Sequence, residues 1–173
     1  MLIFLVGKGF SILKTFIIEC IGLIIAFTLA ILIPLCKNPV WWIHDYPKDI
    51  QEKYFETHER IPAEPLSGPA LVKKSVAILI CLGVMVVLVK LAGADNFTQG
   101  FLLSYGLWVI VDWYDCFILD WVLFANIKRI RLEGTEHMDE AYHQKKYHFV
   151  QSCIGMILGL LPSLLCGMII AIM

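Results

Sequence analysis

Four long apolar runs, at roughly residues 12–35, 71–91, 97–124 and 147–172, constrain this chain more than any other feature. A bilayer core takes about 20 mainly apolar residues per helix. Within it, every backbone N–H and C=O must be satisfied by the segment itself. The runs therefore predict an all-α membrane protein with four transmembrane helices, a single transmembrane domain over residues 1–173. The composition agrees. Hydrophobic residues make up 59% of the chain and charged residues 17%, against about 45–50% and 25% in soluble domains. These proportions exclude a water-soluble domain. The first run is too long for the core of a signal peptide and no small-residue cleavage pattern follows it, so it reads as a retained helix.

Lysine and arginine set the expected orientation, because they concentrate in cytoplasmic loops. Lys37, Lys48, Lys53, Arg60, Lys73 and Lys74 lie in or beside the first loop, residues 36–70. Lys128, Arg129, Arg131, Lys145 and Lys146 lie in or beside the second, residues 125–146. With four spans these loops share one side, leaving Lys8, Lys14 and Lys90 for the other. Both loops are expected to be cytoplasmic and both termini outside. The net charge of −1 provides no basic face for phosphates, so the expected partner is the lipid bilayer and not nucleic acid.

The first loop contains Trp41, Trp42 and Tyr46, aromatic residues suited to the headgroup level. Asp45 is placed to cap a helix with Pro47 in its first turn. Ile50, Tyr54, Thr57, His58 and Ile61 recur at helical spacing, which predicts an interfacial amphipathic helix over 46–60. Pro62, Pro65 and Pro69 return the chain to the second run. In the second loop Gly134 makes a turn and Thr135 is a good N-cap, with Glu136, Asp139 and Glu140 in the first turns. That helix is expected to continue unbroken into the fourth span. There, Gly155, Gly159, Ser163 and Gly167 form a small-residue stripe that lets backbones approach closely in lipid. Packing within the chain is the favoured reading of the stripe, and a homo-oligomer through it the sharper one. Pro162 should kink the same helix.

The six cysteines show no C-x-x-C spacing, which argues against a zinc site or a dithiol redox centre. Glu140-x-x-His143 lacks the second copy a di-iron bundle needs. The chain has five histidines, too few for the boxes of a membrane desaturase, and no H-E-x-x-H, P-loop or G-x-S-x-G. His44, His58 and His137 read as solvent-exposed loop residues.

Acids inside the spans are costly, about 2.5–3.5 kcal/mol each on insertion scales, and so are the first functional candidates. Glu19 and Lys90 are expected at similar depth, as a structural ion pair. On the third span Asp112, Asp115 and Asp120 fall within about 140° of arc at α-helical spacing. They form a polar track descending to the cytoplasmic interface, continued by Asn126. Glu136, His143 and His148 complete a candidate polar cluster at that end. Three roles are open: a path or binding site for a proton, cation or small solute, acid–base catalysis on a lipid-like substrate, or bundle stability alone. A non-catalytic accessory subunit is a further alternative. Oxygen ligands beside a histidine would suit a divalent cation.

The segment reads Asp115, four residues, Asp120-Trp121, a basic patch, Glu133-Gly134-Thr135-Glu136, then Tyr142 and His148. It resembles a group of small multi-span bacterial integral membrane proteins of uncharacterised activity, over about a quarter of the chain. The resemblance implies a bacterial plasma-membrane location. It also implies that Asp115, Asp120, Thr135, Glu136 and His148 belong to one unit, and no chemistry follows from it. The chain has Glu133 where that group shows a proline before the glycine.

Overall fold

The computed structural model describes residues 2–62 and 67–173, with side chains from residue 9 onward outside that gap. Pro65 and the Lys8 side chain lie outside the described residues. The described secondary structure is helical throughout: α1 (Leu2–Lys37), a 3-10 segment (Pro39–Asp45), α2 (Lys48–Tyr54), α3 (Gly68–Leu91), α4 (Phe97–Tyr114) continuing as a π-helix (Asp115–Phe124), a short 3-10 turn (Lys128–Ile130), α5 (Asp139–Tyr142) and α6 (Lys145–Ile172).

Among the described residues three helices are long and apolar enough to cross a membrane: Gly9–Lys37, Gly68–Leu91 and the stretch Asp139–Ile172. Their surfaces carry the apolar residues outward. On α3, Ile78, Leu79 and Ile80 are each more than 60% exposed while Ala70, Met85 and Val89 are buried. A helix that is apolar all round is stable only when something other than water surrounds it. The third apolar run differs from the rest. It begins as an α-helix and changes winding at Asp115.

The ends of these helices follow from local chemistry. α1 continues a turn beyond Pro34, whose carbonyl accepts from the Asn38 N–H at 2.9 Å. Ser67 caps α3, its hydroxyl accepting from the Ala70 N–H, with Pro69 in the first turn where no donor is needed. α3 ends at Gly93, whose φ of 96° suits glycine; Ala94 N–H reaches back to Val89 O at 3.2 Å, and the two side chains share a core. Before α4, the Asn96 side chain accepts from Gln99 N–H while Gln99 accepts from Asp95 N–H, a variant of the reciprocal capping box.

The chain divides into two compact units. The first comprises the described residues of Met1–Ile24, Leu66–Asp112 and Ile154–Met173. Cys20, Met85, Val89, Leu107, Cys166 and Ile170 form its core, one or more from each of α1, α3, α4 and α6. The small-residue stripe of α6 lies against α4 of the same chain. A Cβ added at Gly155 would collide with the Asp112 carboxylate, one at Gly159 with the Trp108 ring, and one at Gly167 with Phe97 and Phe101 backbone. Trp108 Nε1 donates to Gly155 O at 2.9 Å, and Ser163 is fully buried. The stripe therefore serves packing within the chain.

Glu19 and Lys90 also belong to this unit, but the expected ion pair does not form. Both carboxylate oxygens of Glu19 are buried without a hydrogen-bond partner, and Lys90 is exposed. Similar depth along two helices does not fix which way each side chain turns.

The second unit comprises the described residues of Ile25–Pro65 and Trp113–Cys153. Its core gathers Tyr46, Ile50, Tyr54, Phe124, Ile130 and Tyr142. The expected amphipathic helix over 46–60 is only seven residues long, and Ile50 and Tyr54, its apolar side, are buried inside the protein. Asp45 ends the 3-10 segment instead of capping α2, whose N-cap is Pro47.

Gly159→Ala is expected to destabilise the protein by about 1–3 kcal/mol, the usual cost of overpacking a filled site. Gly83→Ala, where nothing lies within 4 Å, should leave the thermal midpoint in detergent unchanged or slightly raised.

Candidate functional site

The second unit contains a cavity of about 480 Å³ built from four segments. α1 contributes Ile31 and Leu35, the 3-10 segment Trp42, His44 and Asp45, the π-helix Asp115 and Asp120, and α6 Tyr147, His148 and Gln151. Each segment is held in place by identifiable contacts. Asn38 caps the 3-10 segment by accepting from Val40 N–H at 3.1 Å. Gln51 Nε2 secures its far end by donating to Tyr46 O at 2.6 Å. The Tyr46 hydroxyl donates to Ile130 O at 2.6 Å, and its ring packs edge-on to Phe124 at 4.9 Å. Burial, with Tyr142 close by, pushes the Tyr46 phenol far above its ordinary range, so it remains a donor.

The π-helix changes the relation between the two aspartates. Five residues apart on an α-helix, Asp115 and Asp120 would be separated by about 140°. In an i→i+5 ladder, five residues are one hydrogen-bonded turn, and Ala125 N–H continues that ladder to Asp120 O. Both carboxylates accordingly line the same cavity. Asp120 Oδ2 lies 2.9 Å from His148 Nδ1. The His148 side chain is 8% exposed, and its Nε2 is buried without a hydrogen-bond partner. A carboxylate cannot donate, so the proton of this contact sits on Nδ1. Asp45 keeps a solvent-exposed edge, yet packing around its carboxyl pushes it above the ordinary value, with neighbouring His44 pulling the other way.

The expected cluster is thus only partly assembled. Asp115, Asp120 and His148 share the cavity. Asp112 belongs to the other compact unit, against Gly155. Asn126 is exposed and donates to Val122 O on its own helix. His143 is exposed, its Nδ1 bonded to Asp139 O at 2.7 Å. Glu136 is exposed, and its backbone carbonyl accepts from Arg131. Among the described residues no group of three or more His, Cys, Asp or Glu side chains is arranged to hold a metal ion. Among the wall residues that sequence reasoning did not assign to the site are His44, Asp45 and Tyr147. The signal for two of them was the run Trp41-Trp42-Ile43-His44-Asp45-Tyr46, which reads equally well as a headgroup belt.

Thr135 has a structural part that its expected capping role does not describe. It is fully buried, and its hydroxyl donates to Leu132 O at 2.7 Å while accepting from the Tyr142 hydroxyl at 2.7 Å. Tyr142 in turn accepts from Leu132 N–H at 3.0 Å. Gly134, with φ of 80°, makes the turn that permits this. The nearly buried Arg131 guanidinium lies 4.8 Å from the Tyr142 ring centre and bonds to Asp139, Glu136 O and Ala125 O. α5 is one turn, separated from α6 at His143–Gln144, so the helix expected to run unbroken from Thr135 does not form. The Glu133–Tyr142 motif is a folded brace that fixes the segment leading to His148.

No known protein family, curated protein or solved structure matches this chain.

Two outcomes test this geometry. Thr135→Val removes a buried hydroxyl between two partners and should cost about 1–3 kcal/mol, read as a lower denaturation midpoint in detergent. Asp45→Asn should raise the thermal midpoint of the ligand-free protein at pH 7. The carboxyl is held above its unfolded value, so the charged form opposes folding. That disadvantage disappears as pH falls toward 3.8, where wild type and variant should converge.

Proposed function

We propose that this chain is a four-span integral membrane protein whose second unit binds, and passes, a proton, cation or small solute through the acidic face of the third span. α4 and its π-helical continuation together form that span, Phe97 to Phe124. The reading places the loops of residues 36–70 and 125–146 in the cytoplasm of a bacterial cell, which puts the cavity at headgroup depth on that side. One observation carries it: three carboxylates, Asp45, Asp115 and Asp120, share a cavity with the buried His148, and among the described residues neither lysine nor arginine stands on its wall. Ionisable groups inside a span are costly to keep and mark substrate or ion pathways.

A second reading has its own support. An imidazole whose Nδ1 is held by a carboxylate and whose Nε2 is unpartnered has the layout of a general acid–base. On that reading the substrate is lipid-like, and His148→Asn abolishes its turnover.

Purified protein reconstituted in liposomes tests the first reading. Cation- or pH-gradient-dependent solute flux is expected. Asp115→Asn or Asp120→Asn should reduce it at least ten-fold while preserving monodisperse elution. Reconstituted wild type without flux and without any cation dependence would overturn the reading.

A further inference from the structure

We infer that the ligand of the acidic cavity is an organic ammonium ion, a protonated amine on a small aliphatic body. This rests on the reading of the cavity as a solute site and narrows it. Four properties of the wall converge on the same chemistry.

The first is sign. With Asp45, Asp115 and Asp120 on the wall and, among the described residues, no lysine or arginine there, an anion meets like charge in a partly desolvated place. The second is size. About 480 Å³ falls in the range of organic-ligand pockets and far exceeds one water's share of about 30 Å³. A bare ion would need converging ligands, and the described residues offer no metal-holding group of three.

The third is hydrogen-bond polarity. The carboxylates only accept. His148 Nδ1 is held against Asp120 Oδ2, which leaves Nε2 as the ring's remaining hydrogen-bonding position. That atom is buried and unpartnered on a side chain more than nine-tenths buried. The carboxylate oxygens match the donors of an ammonium, beside the N–H and O–H groups that Trp42, Tyr147 and Gln151 bring to the same wall. The fourth is the rest of the lining. Trp42 and Tyr147 offer aromatic faces of the kind that attract cations, and Ile31 and Leu35 offer apolar contact for a short aliphatic body.

Two sources share this chemistry: a free alkylamine, or the amine headgroup of a phospholipid. The experiment uses n-butylamine at pH 7, with 1-butanol as its uncharged counterpart of equal size, in titration calorimetry of the full chain in detergent. A second arm uses nanodiscs of mixed phosphatidylethanolamine and phosphatidylglycerol, read by native mass spectrometry. Saturable butylamine binding, weakened at least ten-fold in Asp120→Asn and in Trp42→Leu and not shared by 1-butanol, supports a free amine. Retention of one phosphatidylethanolamine, lost in both variants, supports the headgroup. Both variants should match wild type in elution and thermal midpoint.

If 1-butanol binds as tightly as butylamine, or phosphatidylglycerol is retained in preference, the ammonium assignment falls and the solute cavity stands. Thermal stabilisation by sodium, potassium or magnesium without any amine effect likewise overturns it while leaving a cation site. If none of these probes binds and the liposomes show no flux, both readings fall together.

Discussion

A bilayer interior offers the backbone no hydrogen-bonding partner, so a chain that enters it must satisfy its own amides. This constraint makes the apolar runs helical, but it does not dictate which helix they adopt. Residues 115–124 satisfy their amides with an i→i+5 ladder instead of the α-helical one. Such windings are uncommon and concentrate at functional sites. Here the consequence is specific. Asp115 and Asp120, about 140° apart in α geometry, come to line one cavity.

The cavity wall is in turn held by bonds that do not involve its acids. Tyr46 ties the 3-10 segment to Ile130, and Gln51 closes its end. The Thr135–Tyr142–Leu132 bonds and the Arg131 guanidinium brace the segment that delivers His148 to Asp120. Buried polar networks of this kind are costly when one member is lost and rigid when all are satisfied. The motif that spans Glu133 to Tyr142 is therefore best understood as scaffolding for the segment that carries the imidazole.

Much of the helical architecture was legible in the chain itself. The apolar runs located α1, α3 and α6, and Gly134 marked a turn. Asp115 and Asp120 were also readable as candidates, because acids in an apolar run stand out against their cost. Spacing was a poor guide elsewhere. Ile50 and Tyr54 have the periodicity of a membrane-surface helix, yet they are buried in the protein, since periodicity records an apolar face and not what covers it. Glu19 and Lys90 matched in expected depth but not in direction. Thr135 had the chemistry of an N-cap and was drawn instead into a buried hydroxyl network by Tyr142.

The sequence alone determined that this protein is helical and apolar-surfaced, because backbone satisfaction and transfer cost depend only on local composition. It also determined which few ionisable residues carry a penalty that calls for an explanation. Only the tertiary structure decided which of them meet. Asp45 and His44, read as cap and loop, became cavity wall, while Asn126, Glu136 and His143 turned away. The reason is physical: a cavity is a property of several segments at once. Its walls depend on the winding of one helix, the capping of a short turn and a brace in a distant loop, none of which the spacing of the acids records.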